Sequence, residues 1–189
     1  MSDSSEPRIA LVTGASRGIG AAIAGLKPIV GADVLLHNPD DPKHPCRLVL
    51  LAQDRGGYLN LCRLLSLGYL EGQEQGIPYL TREWVGAHAE GLIALSAARE
   101  GDIGMALLAN HPKRARTLAA GWARDFPDRF YIEVQRTGRE GEKLYEPLAL
   151  ELAAELALPV VATNDVRFLD QADFESHEAR VCIREGRLL

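Results

Sequence analysis

Short runs of branched apolar residues alternate along this chain with longer segments whose apolar residues recur at helical spacing. Each run has the length of one buried strand, and each spaced segment has the length of one helix. The runs cover residues 8–13, 33–37, 47–52, 91–96, 129–134 and 158–163, and the helical segments cover 57–70, 101–109, 112–125, 141–157 and 171–185. This alternation predicts an α/β fold with a mainly parallel sheet, either open and doubly wound or closed into a barrel.

The charge balance argues against one class of function. The 189 residues include 21 Lys and Arg against 26 Asp and Glu, which gives a net charge of −5. A chain that holds DNA or an anionic membrane by bulk electrostatics usually carries a basic excess. The polar, acidic start of the chain is unlike a signal peptide, and the three cysteines form no CxxC pair. We therefore expect a cytoplasmic protein with no membrane partner, no disulfide framework and no cysteine zinc site.

Four positions carry local expectations of their own. Thr81 precedes a short helical segment and is a candidate N-cap. Trp84 and Trp122 are expected to anchor a core or an interface. Glu133 ends a predicted strand, where it either faces the mouth of a barrel or pairs with a nearby arginine, and we expect the pairing.

A glycine-rich turn, TGASRGIG at residues 13–20, follows the first predicted strand. Glycines at such a turn allow a pyrophosphate to approach the backbone, and the next helix presents its first amide groups to the anion. The turn resembles the cofactor-binding motif of short-chain dehydrogenases/reductases. That resemblance implies an NADP or NAD site, with Arg17 near the NADP phosphate. Its binding residues would be Gly14, Ser16, Arg17, Gly18, Ile19 and Gly20.

The catalytic part of the dehydrogenase pattern is missing. None of the five tyrosines is followed four residues later by a lysine. Hydride transfer needs that tyrosine to protonate the substrate oxygen, with the lysine lowering its pKa. We therefore interpret residues 8–24 first as a Rossmann-like βα unit. An NAD(P)-binding oxidoreductase built on residues 8–37, where the strand at 33–37 would be the second strand of the dehydrogenase-like unit, remains the alternative function.

Several separate motifs from residue 25 onward resemble a different family. In order along the chain they are GLKPIVGAD (25–33), GYLNL (57–61), EGLIALS (90–96), FPDRFYIE (126–133) and PVVATNDVRF (159–168). Together they resemble the polymerase-and-histidinol-phosphatase (PHP) domain, in the form found in bacterial DNA polymerase III alpha subunits. The resemblance implies an incomplete, distorted TIM-like βα barrel. It also divides the chain into a dehydrogenase-like segment, 1–24, and a partial PHP domain, 25–189, which ends before the polymerase core.

The PHP resemblance also assigns metal-site positions. Metal-binding members use histidines and carboxylates, and the resemblance places Asp33 and Asp165 at two remnant ligand positions. Arg167 and Thr137 stand where metal-binding members carry histidine. Asp165 has a second interpretation, as a turn cap together with Asn164. We expect no bound divalent metal and assign no catalytic residue.

The family resemblance also implies a function for this chain. The chain would be a fragment of a replicative DNA polymerase III alpha subunit, a DNA-directed DNA polymerase and nucleotidyltransferase of DNA replication. This fragment would be a non-catalytic scaffold and docking module. Its implied partners are the proofreading exonuclease subunit and other replicase subunits, without direct DNA binding.

Overall fold

The computed structural model describes residues 9–11, 27–38, 41–42, 44–164, 171–186 and 188. Nine strands are present in these ranges: β1 (Ile9–Leu11), β2 (Lys27–Ile29), β3 (Gly31–Leu36), β4 (Cys46–Ala52), β5 (Gln73–Glu74), β6 (Ile77–Leu80), β7 (Leu92–Leu95), β8 (Phe130–Gln135) and β9 (Val160–Thr163). The α-helices of the same ranges are α1 (Arg55–Leu70), α2 (Arg82–Ala87), α3 (Asp102–Leu108), α4 (Pro112–Asp125), α5 (Glu142–Glu155) and α6 (Phe174–Glu185). The predicted α/β class is confirmed.

Seven strands form one mixed sheet in the order β5-β6-β3-β4-β7-β8-β9. The pairs β3–β6, β7–β8 and β8–β9 are parallel, whereas β4 is antiparallel to both β3 and β7. The expectation of a mainly parallel sheet is therefore wrong at β4. The connection from β3 to β4, residues 37–45, is short and holds three prolines, so it cannot supply the crossover helix that a parallel pair needs.

Over the described residues, the main sheet is open and does not close into a barrel. Among the described strands, β5 and β9 lie at its two ends and do not pair with each other. The first predicted strand is present as β1, which forms a separate two-stranded parallel sheet with β2 in the register Ile9 to Lys27. The glycine-rich turn lies outside the described residues.

One face of the main sheet packs against the helices and forms the core. Alternate residues of a strand point to opposite faces. On β4 the buried Leu48 and Leu50 point to the helical face, while Arg47, Val49 and Leu51 on the other face are only half-buried. The same core contains Leu36, Leu61, Leu64, Val85, Leu92, Ile103, Trp122, Phe126, Phe130, Ile132 and Tyr145. A layer of helices on one face therefore leaves the opposite face available for a site.

Capping side chains mark where two of the helices begin. The Asp54 side chain accepts a hydrogen bond of 2.8 Å from the Gly57 amide at the start of α1. The predicted cap Thr81 accepts one of 3.2 Å from the Trp84 amide at the start of α2. A Cβ at Gly57 would lie 1.8 Å from the Gly91 carbonyl oxygen, so glycine at this position lets α1 approach the start of β7 closely.

Both tryptophans of the chain lie in or against the core. Trp122 is fully buried and Trp84 packs partly buried against the core, as predicted. Cys46, Cys62 and Cys182 are free thiols. In the part of the chain that the structure describes, no helix has both the length and the apolar character needed to cross a membrane.

The two leucines of α1 that differ most in burial provide a test of this core. Leu64 has none of its surface exposed, whereas Leu70 is 82% exposed on the same helix. We expect Leu64→Ala to lower the free energy of unfolding by about 2–5 kcal/mol, because it removes buried methyl groups and leaves a cavity. Leu70→Ala should change it by less than about 0.5 kcal/mol. Urea denaturation measures both, and equal losses would contradict the packing described.

Candidate functional site

A cleft of about 630 Å³ lies on the face of the sheet that the helices leave uncovered. Its floor is apolar and comes from alternate residues of the central strands, among them Val49, Leu51, Ile93 and Leu95. Charged side chains from the strands and from the segments that follow them line the rest: Asp33, Arg47, Glu100, Glu133 and Arg139. Alternate residues of each strand point to this face, so charged side chains from distant parts of the sequence lie together in the cleft.

Arg47 links two carboxylates of the cleft. Its Nη2 lies 2.9 Å from Asp33 Oδ2, and its Nη1 lies 2.6 Å from Glu100 Oε2. Asp33 is close because it lies on β3, where Leu35 pairs with Arg47 across the antiparallel ladder. Arg99 Nη2 contacts the other Glu100 oxygen at 3.0 Å. Guanidinium groups bind carboxylates with well-defined geometry, so Arg47 holds both acids in fixed positions.

Glu133 is the most enclosed acid of the cleft, with only 3% of its surface exposed. Its Oε1 accepts hydrogen bonds from the Thr163 hydroxyl and, at 3.1 Å, from the Gln135 amide. Its Oε2 has no hydrogen-bond partner among the described residues. Glu133 thus lines the cleft and bonds to neighbours on β8 and β9, and the arginine partner expected for it is not found among the described residues.

The backbone around Glu133 is firmly held. Its amide donates to Ser96 Oγ at 2.9 Å, and the Tyr145 hydroxyl donates to its carbonyl oxygen at 2.8 Å. Burial raises the pKa of the Glu133 carboxyl, the hydrogen bonds from Thr163 and Gln135 oppose this, and the charge of Asp33 adds to the increase. Burial also raises the pKa of the Tyr145 hydroxyl. The fold therefore holds an acid in a low-dielectric position that disfavours its charge.

Thr137 does not take part in the cleft. Its amide and that of Gly138 each donate to Glu142 Oε2 at 2.8 Å, and its hydroxyl donates to the other oxygen of the same carboxylate. These bonds lower the pKa of Glu142, with the Thr137 hydroxyl contributing most. Thr137 therefore fixes the turn before α5.

The acids of the cleft do not fit a metal ion. The Arg47 guanidinium occupies the space between Asp33 and Glu100, where it already supplies their positive charge. Over the described ranges, no three His, Cys, Asp or Glu side chains are grouped so that they could hold a metal. Asp165 and Arg167 lie outside the described residues.

A second charged cluster, on the helical side, is structural. Half-buried Asp102 accepts a hydrogen bond of 2.8 Å from Trp122 Nε1, and the Arg82 guanidinium lies 4.1 Å from the centre of the Trp122 ring. Burial raises the pKa of Asp102, while the bond from Trp122 opposes the change. Because Arg82, Asp102 and Trp122 belong to α2, α3 and α4, the cluster joins three helices.

Sequence reasoning missed two residues that define the cleft, Arg47 and Glu100. A charged residue in an otherwise apolar strand can indicate a functional position, and Arg47 in the run 47–52 is such a residue. Glu100 lies in the 3₁₀ helix Ala98–Glu100, and no pattern in the sequence marks it.

The raised pKa of Glu133 predicts how stability depends on pH. As pH rises above the ordinary value of 4.5, the unfolded chain releases the Glu133 proton while the folded chain retains it. This group therefore lowers the free energy of unfolding progressively until its folded pKa is passed. Glu133→Gln removes that loss, so the stability of the variant relative to the parent should increase between pH 4.5 and pH 7.

Urea denaturation across this pH range measures the difference. Glu151→Gln, at an exposed position on α5, is the matched control and should follow the parent at every pH. An unchanged stability difference for Glu133→Gln across the range would contradict the burial of this carboxyl.

Comparison with known proteins relates this fold and cleft to one family. The PHP domain profile matches residues 16–137. Over 166 residues, 88% of the chain, the sequence is 51% identical to DNA polymerase III subunit alpha of Pseudomonas fluorescens and of Pseudomonas aeruginosa. The Escherichia coli K12 protein of the same name is 44% identical over 163 residues. The chain spans 14% of the length of each of these relatives. On this similarity, the chain belongs to the PHP domain family.

Proposed function

We propose that this chain serves as a non-catalytic PHP module of a DNA polymerase III alpha subunit, acting as a scaffold and docking surface. The observation that carries the proposal is Arg47, whose guanidinium holds Asp33 and Glu100 at 2.9 and 2.6 Å. Metal-dependent hydrolysis of a phosphoester needs carboxylates that are free to bind cations and activate water. An arginine that is always charged removes two of them from that role.

DNA synthesis itself, and nucleotidyl transfer with it, is proposed for the longer protein. The relatives named DNA polymerase III subunit alpha match this chain over 14% of their length. A net charge of −5 favours protein partners over nucleic acid for the present chain, and the proposed location is the cytoplasm. The implied partners are the proofreading exonuclease subunit and other subunits of the replicase.

The outer face of α1 is the proposed docking surface. It exposes four large apolar side chains: Tyr58, Leu59, Tyr69 and Leu70. Exposed apolar groups collected on one element favour a protein interface. The inner face of the same helix is held by buried Leu61 and Leu64, so the exposed face is presented on a rigid support.

Binding to the proofreading exonuclease subunit of the replicase tests the docking role. We expect the chain, immobilised for surface plasmon resonance, to bind that subunit. Leu70→Glu, which places a charge on the outer face of α1, should weaken binding at least about tenfold. Leu150→Glu, at an exposed leucine on α5, is the control and should leave the affinity unchanged. Absence of binding, or equal effects of the two variants, would refute docking through α1.

We also propose a dehydrogenase-like origin for residues 1–24, with the PHP module beginning at residue 25. The parallel pairing of β1 with β2 supports it, because parallel neighbours require a crossover connection, as in a βαβ unit. The relatives match 166 of the 189 residues, which also leaves room for a short unrelated segment. The PHP profile begins at residue 16, inside this segment, so the boundary at 24 rests on the motifs alone.

Titration with NADPH tests the glycine-rich turn of this segment. If Gly14, Ser16, Arg17, Gly18, Ile19 and Gly20 form a nucleotide cradle, NADPH fluorescence should change with a Kd on the order of micromolar. Gly14→Asp should abolish the change, because a carboxylate would repel the pyrophosphate. Gly76→Asp, at an open turn position of positive φ, is the control. Identical titrations for parent and Gly14→Asp would refute the cradle.

A further inference from the structure

A second cavity, of about 520 Å³, lies on the helical side of the sheet. Its lining comes from the end of β3 and from helices α2, α3 and α4. We call it the helical cavity, and its apolar walls are formed by Leu36, Met105, Ala106, Ala109 and Leu118. Its volume and its largely apolar walls are those of a small-ligand site.

The enclosed charges of the helical cavity are paired with one another. Arg82 lies between two acids, with Nη1 3.8 Å from Asp102 Oδ2 and Nη2 3.7 Å from Asp125 Oδ2. The charge of Arg114, which also lines the cavity, favours the ionised form of Asp102. An uncharged ligand therefore enters without separating these pairs, whereas an ionic ligand would have to compete with them.

The other acids of the lining are in exposed positions. The Asp41 side chain is 49% exposed, and its Oδ2 lies 2.6 Å from His44 Nδ1. Glu83 is exposed in the first turn of α2, where the amide groups of the helix stabilise a negative charge. Water screens charges in such positions, so these two acids do not favour a cation in the enclosed part of the cavity.

The Arg82 guanidinium presents one of its two faces to the helical cavity. The other face lies on the Trp122 ring, with 4.1 Å between Cζ and the ring centre. Its terminal nitrogens contact Asp102, Asp125 and the Leu118 carbonyl oxygen, so its edges are engaged as well. The side chain is nevertheless 29% exposed and lines the cavity, which leaves the second face as its accessible part. A planar guanidinium stacks on aromatic rings, so this face favours an aromatic ligand over a saturated one.

Met105 adds a second preference for an aromatic ring. It is half-buried and lines the cavity from α3. A methionine thioether makes favourable contacts with aromatic rings, and its flexible side chain adapts to ligands of different shape. Half-buried Leu118 on α4 supplies further apolar area against which a ring can pack.

We propose that the helical cavity binds a small, uncharged aromatic molecule of one or two rings, stacked on the exposed face of Arg82 and packed against Met105 and Leu118. The apolar walls exclude water from the rest of the ring system. The lining of this cavity shares no residue with the cleft on the open face of the sheet. The site does not depend on the docking role proposed for α1.

Titration of the full chain with 2-naphthol, followed by ¹⁵N–¹H NMR, tests the site. We expect saturable shifts of the amides of residues 81–83, 102–106 and 118–122, while those of 131–135 and 161–163, beside the cleft, stay unchanged. Decahydro-2-naphthol has the same carbon skeleton and hydroxyl group but no aromatic ring, and it should bind at least about fivefold more weakly. The anion 2-naphthoate and the cation 2-naphthylmethylammonium should each bind at least about tenfold more weakly than 2-naphthol, because each places a charge in the cavity.

Variants then assign the contact to Arg82. Arg82→Lys keeps the charge but removes the planar face, so it should weaken 2-naphthol binding about fivefold and leave decahydro-2-naphthol binding unchanged. The unchanged affinity for the saturated compound also shows that the cavity of the variant is intact.

A second pair of variants tests the cavity itself. Leu118→Trp fills it and should abolish the binding of both compounds, and this variant assigns the site if Arg82→Lys does not melt cooperatively. Leu148→Trp, at a half-buried leucine on α5 that is absent from the lining, is the matched control and should bind as the parent does. Equal affinity of the parent for 2-naphthol and decahydro-2-naphthol, tighter binding of either charged analogue, or no saturable shift would overturn the proposal.

Discussion

Strand β4 is the constraint on which the rest of the structure depends. It lies in the middle of the sheet, antiparallel to both neighbours, and its side chains alternate strictly between two environments. Leu48 and Leu50 pack beneath the helices, while Arg47, Val49 and Leu51 form part of the open cleft. A shift of one residue in its register would place Arg47 in the core and the leucines in the cleft.

The charged side chains of the cleft determine the chemical character of the open face of the sheet. Arg47 remains protonated at any physiological pH, so it stays paired with Asp33 and Glu100 and keeps the space between them positively charged. Glu133, on β8 two strands away from β4, is buried without a cation of its own among the described residues. The same cleft therefore contains two acids that are paired with arginines and one acid, Glu133, that is paired with none of the described arginines.

Local sequence signals predicted the helices closely. The interval 112–125 matches α4 residue for residue, and the cap at Thr81 forms the expected bond with the Trp84 amide. Helix limits depend on capping groups and on periodicity, both of which are local. The direction of β4 was not predicted, because strand direction depends on how the chain returns across the sheet. The partners of Glu133 were missed for the same reason, since Thr163 lies on the neighbouring strand and is 30 positions away in the sequence.

The sequence by itself determined the α/β class, the family and the separation of a polar, acidic surface from an apolar core. These properties follow from periodicity, composition and motifs, which can be read within short stretches of chain. Only the tertiary structure decided that Asp33, Arg47 and Glu100 form one ion network and that one oxygen of Glu133 has no partner in the described residues. Such contacts join residues that are far apart in sequence, so they exist only after the strands have paired and their side chains have been assigned to one face or the other.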